Sequence, residues 1–589
     1  MSFEALQQKV THSSPELTKV LAAWRDAIGD ENVVTESHAL NEISRATYEI
    51  PHGVVAILRP RDRQALQAAV RIAHQHRTPV YPVSGGRNWG LGSCVPAAGG
   101  CAVLDLGGMT RILDLNREMA TVTVEPGVTF EALQQYLARE APELMMDSIG
   151  STGRASIVGN AVERGHGMGS YADRFAHVCG LEVVLADGDV IRTGYGAYDD
   201  SPLAGLARWG TGPSLDGLFS QSGLGVVASL TFWLQVVPKH FQSFVFGLDT
   251  DQGLAQMIDR WRRERLQGTR ASLRIFNDLR LTAISQPYPF ATTGGAVPLP
   301  ETLRRELRSF PGRWVGIGSV NAASPALAAA ERQHLEDVFS SVDRLEIYDE
   351  AWAGKIREQG SSEEKAWLDF VYDRSVLRGY TSERPIRMCY WRKPEGAPDG
   401  DLNPDRDGCG VLWYCPTLPA TGRDAVALAG IVERRSLEHG FEPNLGFLSI
   451  AERTLDITGA VVFDRAVPGQ DRLARDCHDA ILADCFEAGY APYRLGVGSM
   501  DFMTRQRPAN RRLLRRLEET LDPHGILAPG RYAADPVVQE ASKDLVLRLV
   551  RAVEAPETAE RFHAGQSQKL RSLDIHGVDS QERWRLENP

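Results

Sequence analysis

The chain has little of what marks several large functional classes. Its 589 residues carry a formal net charge of -11, with 65 Lys and Arg against 76 Asp and Glu. It therefore lacks the basic stripe that neutralises phosphates, and no nucleic-acid partner is expected. No apolar run approaches the length of a membrane span, and residues 1–20 are polar, without the basic start and apolar stretch of an export signal. No membrane partner and a cytoplasmic location are expected on that basis. Cysteine is sparse, at 8 residues, with neither the paired-ligand spacing of zinc nor a haem-attachment pattern. Free thiols and no metal site are the expectation. What the chain has is length, too much for one compact core, so at least two domains are expected.

It also has glycine, and the distribution is informative. Residues 64–76 read as a helix with apolar Leu66, Ala69, Val70, Ile72 and Ala73, and residues 78–83 as a short strand. The run Ser84-Gly85-Gly86-Arg87-Asn88-Trp89-Gly90-Leu91-Gly92-Ser93 follows. Glycines there let consecutive N–H groups converge into a nest for an anion, and Arg87 can add charge-assisted bonds to the same oxygens. The pattern suits a nucleotide cofactor. Taken alone, an ordinary glycine-rich loop fits it equally well.

The blocks that follow supply context. Strands are expected at residues 102–106 and 120–124, the latter closing in Glu125-Pro126-Gly127-Val128-Thr129. Then come Gly159-Asn160-Ala161-Val162-Glu163-Arg164-Gly165, residues 180–188, Phe219-Ser220-Gln221-Ser222-Gly223-Leu224-Gly225-Val226, Pro492-Tyr493-Arg494 and a closing Ala528-Pro529-Gly530-Arg531. In this order the chain resembles the p-cresol methylhydroxylase and vanillyl-alcohol oxidase flavoprotein family over residues 15–535, and leans toward the 4-cresol dehydrogenase flavoprotein subunit. The resemblance implies an α+β fold: a split, two-subdomain FAD-binding domain of the methylhydroxylase type with an inserted α+β cap. The implied boundaries are 1–240 for the first part of the FAD domain, 241–489 for the cap, 490–540 for the completing part and 541–589 for a tail. Residues 423–439 read as a helix of the cap and 460–463 as a strand, while residues 393–407, rich in Pro, Gly and Asp, read as an exposed loop. An amphipathic helix is expected over 538–553, in a tail that packs on a second subunit or is a loosely ordered appendage.

The same resemblance assigns residues. FAD is the implied cofactor, held by Ser84, Gly85, Gly86, Arg87, Asn88, Trp89, Ser151, Gly159, Asn160, Gly165, Gly225 and Val226. Tyr493, Arg494 and Arg531 match positions that bind a phenolic substrate as phenolate, with Arg531 also touching FAD. The departures are equally informative. Leu91 stands where the family has a second phenolate-binding tyrosine, a loss of roughly 1.5–3 kcal/mol unless another donor replaces it. Gly446 stands where the methylhydroxylase has a glutamate near the substrate, with Glu442 four residues earlier reading as a solvated carboxylate. Ser151 matches the methylhydroxylase rather than the oxidase. Val411 replaces the histidine to which the oxidases link FAD, so that linkage is excluded. Tyr390 lies one residue from the methylhydroxylase's linking tyrosine, whose aligned position is Cys389. A covalent bond through Tyr390, one through Cys389 and tight noncovalent FAD all stay open. Trp391 and Trp413 suit a pocket wall or a core, and His166 a proton shuttle or a packed side chain.

The implied reaction is hydride transfer from the benzylic carbon of a para-substituted phenol to the flavin, through a quinone methide, ending in hydroxylation, alcohol oxidation or desaturation. A non-phenolic alcohol or natural-product intermediate is the alternative substrate, motivated by Leu91 and Gly446. A flavin-binding subunit with lapsed catalysis is the alternative of another class. Expected partners are a small aromatic substrate, dioxygen or a separate cytochrome or other redox protein as electron acceptor, and a second copy in a homodimer.

Overall fold

The computed structural model describes residues 15–533. The expected helix over 538–553 and the tail after 540 lie outside these residues. Among the described residues no helix is long and apolar enough to cross a membrane.

Three large sheets organise the chain, beside a two-stranded pair of Leu144–Met145 with Gln235–Val236. The first runs in the order Val33–Val34, Val54–Leu58, Cys101–Asp105, Val80–Val83, and its last two pairings are parallel. Parallel strands need a crossover; between Val54–Leu58 and Val80–Val83, which flank Cys101–Asp105, it is helix Arg63–His76. Asp62 caps it by accepting from Ala65 N, and Leu66, Ala69, Val70 and Ala73 are buried against the sheet. Helix Pro15–Ile28 packs on the same layer, where buried Trp24 donates Nε1 to Ala69 O at 3.0 Å. Strand Val80–Val83 thus delivers the glycine-rich loop at its carboxyl end, the usual place for a ligand in such sheets. The chain returns here much later: Val80 donates to Ile526 O and accepts from Ala528 N, both at 2.8 Å. That pairing carries Arg531 to the loop.

The second sheet is antiparallel, in the order Ile112–Asn116, Thr121–Val124, Val226–Trp233, Val178–Val184, Val190–Arg192. Beside it lies the short helix Ile157–Val162, capped by Ser156, whose hydroxyl accepts from Gly159 N at 2.9 Å.

The third sheet has eight strands, ordered Arg344–Tyr348, His240–Leu248, Trp314–Ala322, Ser272–Asn277, Leu445–Leu448, Thr454–Asp464, Cys409–Tyr414, with Thr417–Pro419 pairing Thr454–Asp464 off the path. Helices Asp251–Leu266, Gly422–Glu438 and Gln470–Glu487 cover its apolar face, in a core that includes Phe244, Phe246, Trp261, Phe339, Phe447 and Phe463. This layer is stitched to the glycine-rich loop. Thr47 Oγ1 accepts from Gly90 N at 2.9 Å and donates to Val411 O at 2.8 Å, and Trp413 N donates to Gly90 O at 3.1 Å. The architecture is α+β, as the resemblance implies.

Residues 393–407 form turns with no regular element, but the loop is not simply exposed. Lys393 is only 8% exposed and bonds Asp464 at 3.1 Å, and Leu402 is buried. The charge-rich composition hides two anchored ends around an exposed middle.

Candidate active site

The sheets enclose a cavity of about 1060 Å³, at the upper end of ligand-site volumes. Residues 84–89 form one wall. Among the described residues none of their backbone N–H groups donates to a protein acceptor, an unusual row of free donors that invites an anion. Two glycines make the wall possible. Gly86 has φ +63°, and a Cβ on Gly159 would lie 2.2 Å from Ser84 Oγ, so the helix can approach the loop only because that side chain is absent. Asn160 adds a buried Oδ1 without a partner. Free N–H donors, a nearby arginine and an orphaned acceptor fit a dinucleotide with phosphates and ring N–H groups. FAD satisfies that description.

Of the expected cofactor residues, Ser84, Gly85, Gly86, Arg87, Asn88, Trp89, Ser151, Gly159, Asn160, Gly225 and Val226 all line the cavity. Gly165 stands behind the wall, where its N donates to Asn160 O at 2.7 Å and a Cβ would lie 2.1 Å from Asn160 Nδ2. Tyr390 does not reach the cavity. It packs in a cluster with Trp391 and Cys389 and donates its hydroxyl to Asp407 at 2.6 Å. Trp391 is core as well, in a T-shaped contact with Tyr288, whereas Trp413 lines the cavity. Glu442, read as solvated, is in fact 6% exposed and accepts from Leu299 N at 2.7 Å.

At one end Arg494 and Arg531 converge on Glu163, a residue that the sequence reading passed over, and Tyr493 lines the same cavity. Arg531 Nη2 lies 2.7 Å from Glu163 Oε2, the Tyr532 hydroxyl donates to the same oxygen at 3.1 Å, and Arg494 Nε stands 4.0 Å from it. Burial would raise the Glu163 carboxyl, but Arg531 and Arg494 outweigh it and hold it below its usual value. Arg494 also donates to Asn88 Oδ1 at 2.8 Å, tying this end to the cofactor wall. Burial pushes the Tyr493 hydroxyl well above its ordinary value, so it stays protonated and able to donate. The Tyr493 ring lies 4.7 Å from His166, whose Nε2 is 2.9 Å from Asp456 Oδ2 but off the line of a hydrogen bond. Leu91 lines the same region.

The cap contributes two arginines that sequence reading missed. Arg274 bonds the carbonyls of Gly167 and Met168. Arg280 donates to Thr458 O at 2.7 Å and Asn444 Oδ1 at 3.2 Å. A charge in the wholly buried strand Ser272–Asn277 was the available signal for the first; Glu163 stood inside the block of residues 159–165. Arg280 had no local signal.

Comparisons with known proteins agree with this geometry. A family model described as FAD binding domain matches residues 54–194. A 1'-carboxy-chondrochloren decarboxylase of Chondromyces crocatus is 39% identical over 526 residues, spanning 88% of this chain and 97% of that protein. The 4-cresol dehydrogenase (hydroxylating) flavoprotein subunit of Pseudomonas putida is 27% identical over 532 residues, spanning 88% and 96%. The crystal structure of p-cresol methylhydroxylase with substrate bound superimposes with a TM-score of 0.80 at 26% identity, covering 89% of this chain and 98% of that one. The chain belongs to the p-cresol methylhydroxylase and vanillyl-alcohol oxidase family of FAD-dependent oxidoreductases.

Proposed function

We propose that this oxidoreductase removes hydride from the carbon attached para to a phenolic hydroxyl. The observation that carries the reading is the meeting of Arg494 and Arg531 at Glu163 on the wall of a cavity that Tyr493 also lines. Two guanidinium charges against one carboxylate leave a single positive charge, which a phenolate balances. Tyr493, kept protonated, donates to the same oxygen. Negative charge held there pushes electron density through the ring toward the para carbon, the direction that favours hydride departure. Bound FAD supplies the two-electron oxidant that receives the hydride.

The chain's own residues do the rest. Asn88, Arg87 and the free N–H groups of residues 84–89 hold and orient the cofactor, and Arg494 couples that wall to the phenol end. His166, facing Tyr493 with Asp456 behind it, is placed to accept the phenolic proton. Tyr390, engaged with Asp407 outside the cavity, favours noncovalent FAD. Leu91 removes one phenolate donor, so the remaining contacts matter more.

A second reading adds loss of a carboxyl group. It is favoured by Arg280, a cavity cation with no carboxylate partner among the described residues, and by the 39% identical relative named as a decarboxylase of a carboxy compound. In a substrate with a carboxylate on the carbon next to the benzylic one, hydride removal leaves a quinone methide. The C–CO2 bond then breaks, its electron pair forms the side-chain double bond and restores the ring to phenolate, and CO2 departs. The oxidant is the bound FAD.

Anaerobic titration of the holoenzyme with 4-alkylphenols and 4-hydroxybenzyl alcohols tests the phenol reading. Bleaching of the flavin absorbance is expected, and flavin that stays oxidised with every phenol while dithionite reduces it overturns the reading.

A further inference from the structure

The cap wall near Tyr493 holds a cation with nothing anionic to answer it among the described residues. Arg280, in helix Asp278–Ser285, is 8% exposed and lines the cavity. Its guanidinium carbon lies 5.2 Å from the rings of both Phe276 and Trp413. Only Nη1 is used, on Thr458 O and Asn444 Oδ1. Nε is buried without a partner, and Nη2 meets no acceptor among the described residues. The neighbouring Asp278 is already taken by Arg304 at 2.6 Å and Arg308 at 2.8 Å.

A charge so buried is costly unless something pairs with it. The other deeply buried arginines show how this chain meets that cost. Arg531 has Glu163. Arg174 fills its fork with the carbonyls of Asp147 and Ser148, and Arg274 with those of Gly167 and Met168. Arg280 has one filled nitrogen and an open side toward the cavity.

Its place in the sheet says what belongs there. Gly446 is the register partner of both Phe276 and Thr458, the residues that flank the guanidinium. A Cβ on Gly446 would lie 2.5 Å from the Phe276 ring, so the position that bears an acid in the family pattern has no room for one here. An acid is absent and a cation present at the same spot. The cavity mouth has the same sign. Arg374, Arg384 and Arg387 line it, are exposed, and form no ion pair among the described residues, with Asp369 the one mouth carboxylate. Such a field draws anions inward.

We propose that Arg280 anchors a carboxylate carried on the para side chain of the substrate, so that (4-hydroxyphenyl)alkanoates are preferred over neutral 4-alkylphenols. This deepens the phenol reading above and rests on it for the other end of the molecule, but the carboxylate contact needs no phenolic hydroxyl.

The test uses that independence. Titration calorimetry of the holoenzyme compares 3-phenylpropanoate with 3-phenylpropanamide, neither of which carries a hydroxyl. The acid is expected to bind roughly tenfold tighter or more, and the ratio to collapse toward one in Arg280→Gln while Arg280→Lys keeps part of it. Rates of flavin reduction by 3-(4-hydroxyphenyl)propanoate and 4-propylphenol are then measured in the same proteins. Equal binding of acid and amide by the unaltered enzyme overturns the assignment whatever the variants do. A ratio that persists in Arg280→Gln, with weaker 4-propylphenol binding, overturns it too and gives the cation to the phenolate. If the acid is preferred and neither phenol reduces the flavin, the carboxylate site stands and the phenol reading fails.

Discussion

Arg531 and Glu163, far apart in the sequence, meet at 2.7 Å between Nη2 and Oε2, and the Tyr532 hydroxyl shares the same carboxylate oxygen. The pair joins the segment that follows residues 526–528 to the end of helix Ile157–Val162 behind the cofactor wall, so it serves the fold as well as the site. Glu163→Gln leaves Arg531 buried and unanswered. The expected loss is about 3 kcal/mol, the low end for a broken buried pair, because the Glu163 side chain is still 21% exposed. The pH dependence has a fixed sign. The folded carboxyl is held below its ordinary 4.5, so its contribution is fully present above that pH and fades as pH falls through the folded value. Denaturant unfolding from pH 7 down to pH 3 should show a slope in the unaltered protein that Glu163→Gln lacks.

Under the phenol reading proposed above, Tyr493 is the one hydroxyl left to a phenolate oxygen where the family pattern provides two. Tyr493→Phe should lower kcat/KM for a 4-alkylphenol by roughly ten- to 150-fold, the equivalent of about 1.5–3 kcal/mol for a hydrogen bond to charge. Restoring the second hydroxyl with Leu91→Tyr should raise phenol affinity in the unaltered background. Unchanged turnover in Tyr493→Phe removes the tyrosine from the phenol site.

The cofactor wall was legible because its chemistry is local. Free N–H groups depend on glycines that sit next to one another in the sequence, and the strand before them announces itself by alternation; helix Arg63–His76 and strand Val80–Val83 fall within two residues of expectation. Tyr493, Arg494 and Arg531 were legible only through resemblance, since the pairing of Val80 with residues 526–528 that delivers Arg531 spans most of the chain. Arg280 was invisible. Its meaning depends on the register of Phe276 and Thr458 against Gly446, which composition does not encode. Glu442 misled for the converse reason: a carboxylate near a helix end looks solvated until Leu299 and Tyr288 are found covering it.

Gly159 offers a direct test of the cofactor wall. A Cβ there would stand 2.2 Å from Ser84 Oγ, so Gly159→Ala must push the loop away from the helix. The variant should purify with much less flavin per protein. Adding Ser84→Ala removes the obstructing oxygen and should restore part of the flavin content, an outcome that general misfolding does not give.

Tyr390 bears on how FAD is held. Its hydroxyl is given to Asp407 at 2.6 Å and is pushed up by burial and by that carboxylate, which makes it a poor nucleophile. Acid precipitation of the holoenzyme should release all the flavin into the supernatant, in the unaltered protein and in Tyr390→Phe alike. Flavin that stays with the unaltered polypeptide and is released from the variant would show a tyrosyl link.

Asp405 should behave in the opposite sense to Glu163. It reaches from the loop of residues 393–407 to the end of the glycine-rich run, where Ser93 donates to it at 2.9 Å. Burial nevertheless pushes its carboxyl up to about 7, with Ser93, Trp89 and Arg87 opposing. The folded state therefore holds the proton more tightly than the unfolded chain, whose value is near the ordinary 3.8. Stability from this group is complete below that pH and is lost as pH rises toward 7. Above 7 the ionised carboxylate opposes folding by about 2–4 kcal/mol, allowing for its partial contact with solvent. Asp405→Asn keeps an acceptor for Ser93 and cannot ionise. Its advantage in melting temperature over the unaltered protein should be small at pH 5 and grow toward pH 8; an equal shift at both pH values would mean that packing, not charge, sets the difference.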